Sequence, residues 1–169
     1  MNFLPGTLTA PPINIAAVKH GWRIYRLDRY GLLWPPFASL GGHATEPLSP
    51  LNGAAVAACP HGYTPAALEC DCGLYFWPLA HDLLRAVRAT EIAGSCWGVI
   101  TFGEVAGPFQ PDRTFYDLDN RDMFRGFRGH CYRVLVAIAT TDLPLYDFPV
   151  IRYTDRLPDL SATAGEYAA

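Results

Sequence analysis

Cys59, His61, Cys70 and Cys72 are the densest set of metal-ligating side chains in the chain. They read C-P-H, an eight-residue interval, then C-D-C-G. Three thiols and an imidazole complete a tetrahedral zinc shell and leave no position open for water or substrate. Such a site stabilises a fold and performs no reaction, and its binding free energy is folding free energy. Gly62 and Pro65 favour the turns that fold the interval back, and Gly73 leaves room for backbone N–H groups beside thiolate sulfur. The C-x-C pair is tighter than the usual C-x-x-C knuckle. Two alternatives stand beside zinc. Free cysteine is among the most buried residue types and needs no ligand, and Cys59 with Cys70 is a conceivable disulfide. The expectation is one structural zinc on all four side chains.

A second constellation is aromatic. Trp22, Tyr25, Trp34 and Trp77, with Arg23, flank the cysteine segment. Trp, Tyr and Arg dominate interaction hot spots, so these five residues are the candidate partner-binding set. The competing reading is the aromatic core of a β fold. Catalysis is less well served. Cys96 and His130 would form a thiol–imidazole dyad if adjacent strands brought them together, with Glu104, Asp117 and Asp119 as further titratable groups. Cys96 and Cys131 read more simply as core residues. A zinc deaminase needs an H-x-E or C-x-E motif feeding P-C-x-x-C, and neither form occurs. His43 and Glu46 lie in a Gly/Pro-rich loop, where their spacing places nothing on one face.

These residues need a scaffold. The chain has 169 residues, half of them apolar and 17% charged, which suits one packed domain and argues against disorder. Fifteen Gly and fifteen Pro favour short strands and turns. The net charge of −3 argues against nucleic acid as a partner. No apolar run is long enough to span a membrane, and the first eighteen residues lack a secretory pattern. The expected location is therefore cytoplasmic, with the odd set of five cysteines as thiols or ligands. Lys19 is the only lysine among thirteen basic residues, which points to a GC-rich source such as an actinobacterium or its phage.

Along the chain, residues 1–18 read as an extended, Pro-bearing arm. Residues 21–27 alternate, with Trp22 and Ile24 on one face and Arg23, Tyr25 and Leu27 on the other. Asp28-Arg29-Tyr30-Gly31 is a turn into a second strand over 32–37, a hairpin. Residues 38–55 read as a loop. A short strand covers 74–77. A helix covers 79–90 with a stripe of Leu79, Leu83, Leu84 and Val87. Strands follow over 96–105 and 130–140, the latter apolar on both faces and so central, with a turn-rich stretch between them. Residues 158–169 read as a flexible tail. The expected fold is mainly β (α+β): a single antiparallel sheet or barrel-like domain over 19–157, with one packed helix and a zinc-tied loop.

Three pieces also resemble an uncharacterised family of small proteins from actinobacteria and other GC-rich bacteria. They are Gly21-Trp22-Arg23-Ile24-Tyr25-Arg26, Cys70-Asp71-Cys72-Gly73-Leu74-Tyr75 and Trp97-Gly98-Val99-Ile100. The resemblance spans residues 20–140, departs at Phe76 and Trp77, and implies the architecture without an activity. The functional expectation is a zinc-stabilised intracellular binding or adaptor module with a protein partner. A virion-type assembly protein that reaches neighbouring copies through its arm and tail is one alternative. An enzyme with a cleft near Cys96 and His130 is another.

Overall fold

The structure is a computed structural model that describes residues 18–35, 46–59, 62–63, 72–92, 98–112 and 126–169, with backbone alone for 89–92 and 112. Among the described residues, seven strands and two helices follow in the order β1 (His20–Leu27), β2 (Leu33–Trp34), β3 (Ala54–Val56), β4 (Leu74–Phe76), α1 (Ala80–Ile92), β5 (Val99–Asp112), β6 (Gly126–Ala139), β7 (Val150–Arg152) and α2 (Leu160–Tyr167). The fold is mainly antiparallel β, as its patterning implies.

β6 is the central strand. β5 runs antiparallel along one of its edges, from Val99↔Ala139 to Asp112↔Gly126. Its other edge is tiled by three short strands: β4 opposite 127–129, β3 opposite 131–133, and β7, parallel, opposite 137–139. β1 pairs with β5 and carries β2 on its far side. The sheet then curls. Trp22 of β1 and Trp77, just past β4, exchange two backbone hydrogen bonds of 2.7 and 2.9 Å. That bridge closes a ring of β1, β5, β6 and β4.

Two irregularities supply the curl, because an inserted residue bends a strand and raises its twist. Leu135 is the extra residue between the Phe102↔Val136 and Gly103↔Val134 pairs. A second insertion lies between Ala106 and Phe109, where Gly107 takes a φ of 78° that favours glycine. Gly103 sits where strands crowd: a Cβ there would lie 2.2 Å from the Arg133 carbonyl oxygen.

Both faces of the sheet are covered. On one, Trp22, Ile24, Ile100, Phe102, Val136 and Ile138 pack with Trp77 and with both helices, through Leu83, Ala86 and Val87 of α1 and Leu160 of α2. On the other, Tyr25, Val99, Tyr132, Val134 and Ala137 pack against Leu48, Leu143 and Tyr146. Tyr146 pins this layer: its hydroxyl accepts from Leu33 N–H at 2.9 Å and donates to the Leu48 carbonyl at 3.3 Å.

The 28–31 hairpin turn forms for local reasons. Asp28 accepts from the N–H groups of Tyr30 and Leu32 and from the Trp34 indole, at 2.8, 2.9 and 2.8 Å. Gly31 supplies a φ of 82°. Two expectations are corrected. The helix stripe is rotated: Leu83, Ala86 and Val87 are buried, while Leu79 and Leu84 are exposed. Ala86 lies in the same core cluster as Trp22 and Trp77. The flexible tail over 158–169 is instead mostly helix. Asp159 caps α2 by accepting from Ser161 and Ala162 N–H, and Leu160, Ala164 and Tyr167 pack on the core. The arm over 1–17 lies outside the described residues.

Candidate functional site

The segment bearing the four candidate ligands leaves and rejoins the same edge of β6. Val56 of β3 lies opposite Cys131, and Ala57 N–H donates to the His130 carbonyl at 2.8 Å. The chain returns at Leu74 of β4, opposite Gly129. The two attachment points therefore face neighbouring residues of β6, one strand step of roughly 3.3 Å apart. Cys59 stands two residues beyond the exit and Cys72 two residues before the return, so the register places both at the neck of the 58–73 connection. Cys59 is half-buried and Cys72 is buried. The Cys59 carbonyl accepts from Gly62 N–H at 3.2 Å, and Gly62 takes a φ of 80°. His61 and Cys70 lie outside the described residues. Among the described residues, no three His, Cys, Asp or Glu side chains gather closely enough to hold a metal. A metal here therefore depends on His61 and Cys70 joining the pair at the neck.

Beneath the neck, two buried arginines grip the returning strand. Arg128 of β6 donates to the Cys72 carbonyl at 3.2 Å. Arg23 of β1 donates to the Tyr75 carbonyl at 2.7 Å and, through Nε, to the Tyr25 hydroxyl at 2.9 Å. The Arg23 guanidinium also lies 5.2 Å from the Tyr25 ring centroid and 5.3 Å from that of Tyr132, within cation–π range of both. The Tyr132 hydroxyl donates to the Gly21 carbonyl at 3.1 Å and meets the Thr101 hydroxyl at 3.0 Å. Burial pushes the Tyr25 and Tyr132 phenols up, outweighing the opposing pull of Arg23, so both stay neutral at physiological pH. Phe76 fills the space beside them. It packs where Gly21 and Gly129 have no side chain: an added Cβ would lie 2.4 and 3.2 Å from its ring atoms.

The structure thus corrects the aromatic partner-binding set. Trp22, Arg23, Tyr25 and Trp77 are each at least 96% buried and serve the interior. Trp34 is half-buried, with its indole engaged by Asp28. A barrel-like sheet covered on both faces consumes more large side chains than a one-sided sheet, and that demand accounts for Trp22 and Trp77. Among the described residues of β3 and the 58–73 connection, the large apolar side chains that reach solvent are Val56, 66% exposed, and Tyr63, 50% exposed.

The residues considered for catalysis do not assemble among those described. Cys96, Asp117 and Asp119 lie outside them. His130 is half-buried against Gly107, whose added Cβ would approach its ring at 3.2 Å. Glu104 forms an exposed ion pair with Arg133. What the residue pattern could not reveal was the buried Arg23–Tyr25–Tyr132 cluster, because alternation alone does not say that a strand is covered on both faces.

No family model, curated protein or solved structure matches this chain. Among the described residues, no helix is long and apolar enough to cross a membrane.

Proposed function

We propose that this chain is a cytoplasmic binding module for a protein partner, with the 58–73 connection as its docking element. One zinc ion on Cys59, His61, Cys70 and Cys72 holds that element in shape. The observation that carries this reading is the register at the neck. Ala57 and Leu74 attach opposite adjacent residues of β6, so the chain between them forms a closed excursion with a candidate thiol near each end. A metal at such a neck shields the nearby edge of β6 and gives the segment a fixed shape without a large core of its own. Exposed Val56 and Tyr63 supply apolar contact area beside it.

Zinc at the neck is coupled to the barrel through Arg128 and the Cys72 carbonyl. Verified removal of zinc by a strong chelator is therefore expected to lower the thermal midpoint by several degrees and to increase hydrogen exchange at 72–76. Cys72→Ser is expected to reproduce that loss and to make the midpoint indifferent to chelator. An unchanged midpoint and unchanged exchange after complete metal removal would reject the reading.

A further inference from the structure

We propose that the outer edge of β7 docks an extended acidic peptide of a partner protein, which adds to the sheet as a strand. Among the described residues, β7 has one neighbouring strand, β6. Ala137 N–H donates to the Pro149 carbonyl at 2.9 Å, and Tyr153 N–H donates to the Ala139 carbonyl at 3.1 Å. Main-chain groups alternate in direction along a strand, so residues 149, 151 and 153 face β6. The N–H and C=O groups of Val150 and Arg152 therefore point away from it. These four groups meet no hydrogen-bonding partner among the described residues. None of the three β7 residues is buried. Pro149 does not blunt this edge, because its missing N–H lies on the β6 side. An open row of main-chain donors and acceptors is a template for another strand.

The ground beside the edge selects the kind of strand. Residues 152–158, the chain leaving β7, line an open depression of about 600 Å³. Its lining carries two guanidiniums, Arg152 and Arg156, and one carboxylate, Asp155. Arg152 also meets Asp142, at 3.5 Å and with the two side chains 59% and 73% exposed. A contact of that kind is weak. Arg156 is exposed and pairs with no Asp or Glu among the described residues. The excess charge is positive, so an incoming Asp or Glu is favoured over a basic side chain.

The two features work together. In strand addition, main-chain bonds give affinity and pockets for side chains give the choice of sequence. A free anion would use the guanidiniums and leave the edge unpaired, whereas an acidic peptide uses both. The site lies at the 137–139 end of β6, away from the neck at 129–130, and it needs no metal. It therefore stands or falls separately from the zinc reading.

The test is a selection from a random displayed-peptide library against immobilised full-length protein. The enriched peptide is then synthesised and titrated into isotope-labelled protein. Enriched sequences should carry Asp or Glu within a run of β-forming residues. The bound peptide should slow hydrogen exchange at the Val150 and Arg152 amides and leave Ile151, already turned to β6, little changed. Arg156→Glu should weaken binding about fivefold at low salt, the weight of an exposed ion pair. Val150→Pro deletes an outward N–H without touching the β6 ladder, and should abolish binding. If Val150→Pro does not fold, N-methylation of the peptide decides. Methyl groups on the alternate amides that face β7 should abolish binding, and methyl groups on the intervening amides should spare it; equal effects of the two sets would overturn the proposal. So would a selection that enriches no peptide, or enriched peptides that leave residues 150–156 unmoved. Enriched peptides without acidic residues, bound equally by Arg156→Glu and the wild type, would overturn it as well.

Discussion

Removing a single oxygen atom tests how the curled sheet is held. The Tyr132 hydroxyl ties three strands together: it meets Thr101 of β5 at 3.0 Å and reaches the Gly21 carbonyl of β1 at 3.1 Å. Tyr132→Phe keeps the ring beside Arg23 and removes both bonds. Thr101 is fully buried, so its hydroxyl loses its partner where water does not easily replace it. Leaving one such group unsatisfied costs about 1–3 kcal/mol. In a protein of this size, a loss of about 2 kcal/mol lowers the thermal midpoint by about 4–8 °C. Thr101→Val should cost a similar amount alone. The double variant should cost less than the two losses added together, because apolar groups then replace both partners. Urea denaturation followed by far-UV circular dichroism gives all four free energies. Strict additivity, or a Tyr132→Phe loss below about 0.5 kcal/mol, would show that this hydroxyl does not hold the strands and would refute the argument.

Other perturbations reach other parts of the fold. Gly103→Ala drives a Cβ to within 2.2 Å of the Arg133 carbonyl oxygen, in backbone that has little room to move. It should destabilise by about 1–3 kcal/mol or more, read by the same urea series. Asp159→Ala removes the α2 cap, which should cost about 1 kcal/mol and speed hydrogen exchange over 160–167 while sparing β6. Asp28 responds to pH. Desolvation opposes its charge, but donors from Leu32, the Trp34 indole and Tyr30, with the Arg26 charge, hold its pKa below the usual carboxylate range. A carboxylate depressed in the folded state stabilises it above the unfolded pKa, and that stability fades as pH falls through the folded pKa. The Trp34 indole proton resonance should therefore shift only in strongly acidic solution, and Asp28→Asn should remove that transition.

Much of the architecture was written in local chemistry. The 28–31 turn was legible because Asp28 and Gly31 each have a conformational reason to be there. β6 was legible because Val134 to Ala139 leave no polar face. Other parts depend on tertiary context. β3 is three residues, Ala54–Val56, within a Gly- and Pro-rich stretch, and becomes a strand only by pairing with β6. β5 continues through Pro108 and Pro111, which read as turn residues. An irregularity between Ala106 and Phe109 accommodates the first of them. The capped helix α2 had a readable signal in Asp159, outweighed by the small polar residues that follow. Of the candidate sites, the ligand spacing was visible and the neck that gathers its ends was not, because register against β6 is a long-range property. The aromatic set was visible, but whether it faced a partner or a core depended on the Trp22–Trp77 bridge that closes the ring.

The claim on which the functional reading rests is that Cys59 and Cys72 meet His61 and Cys70 around one ion. X-ray absorption at the zinc edge on untagged, full-length protein tests it most directly. The account expects one zinc per chain with about three sulfur neighbours near 2.3 Å and one nitrogen near 2.0–2.1 Å. A chain that carries no zinc after purification from zinc-supplemented cells would contradict it, as would a shell made of oxygen and nitrogen without sulfur.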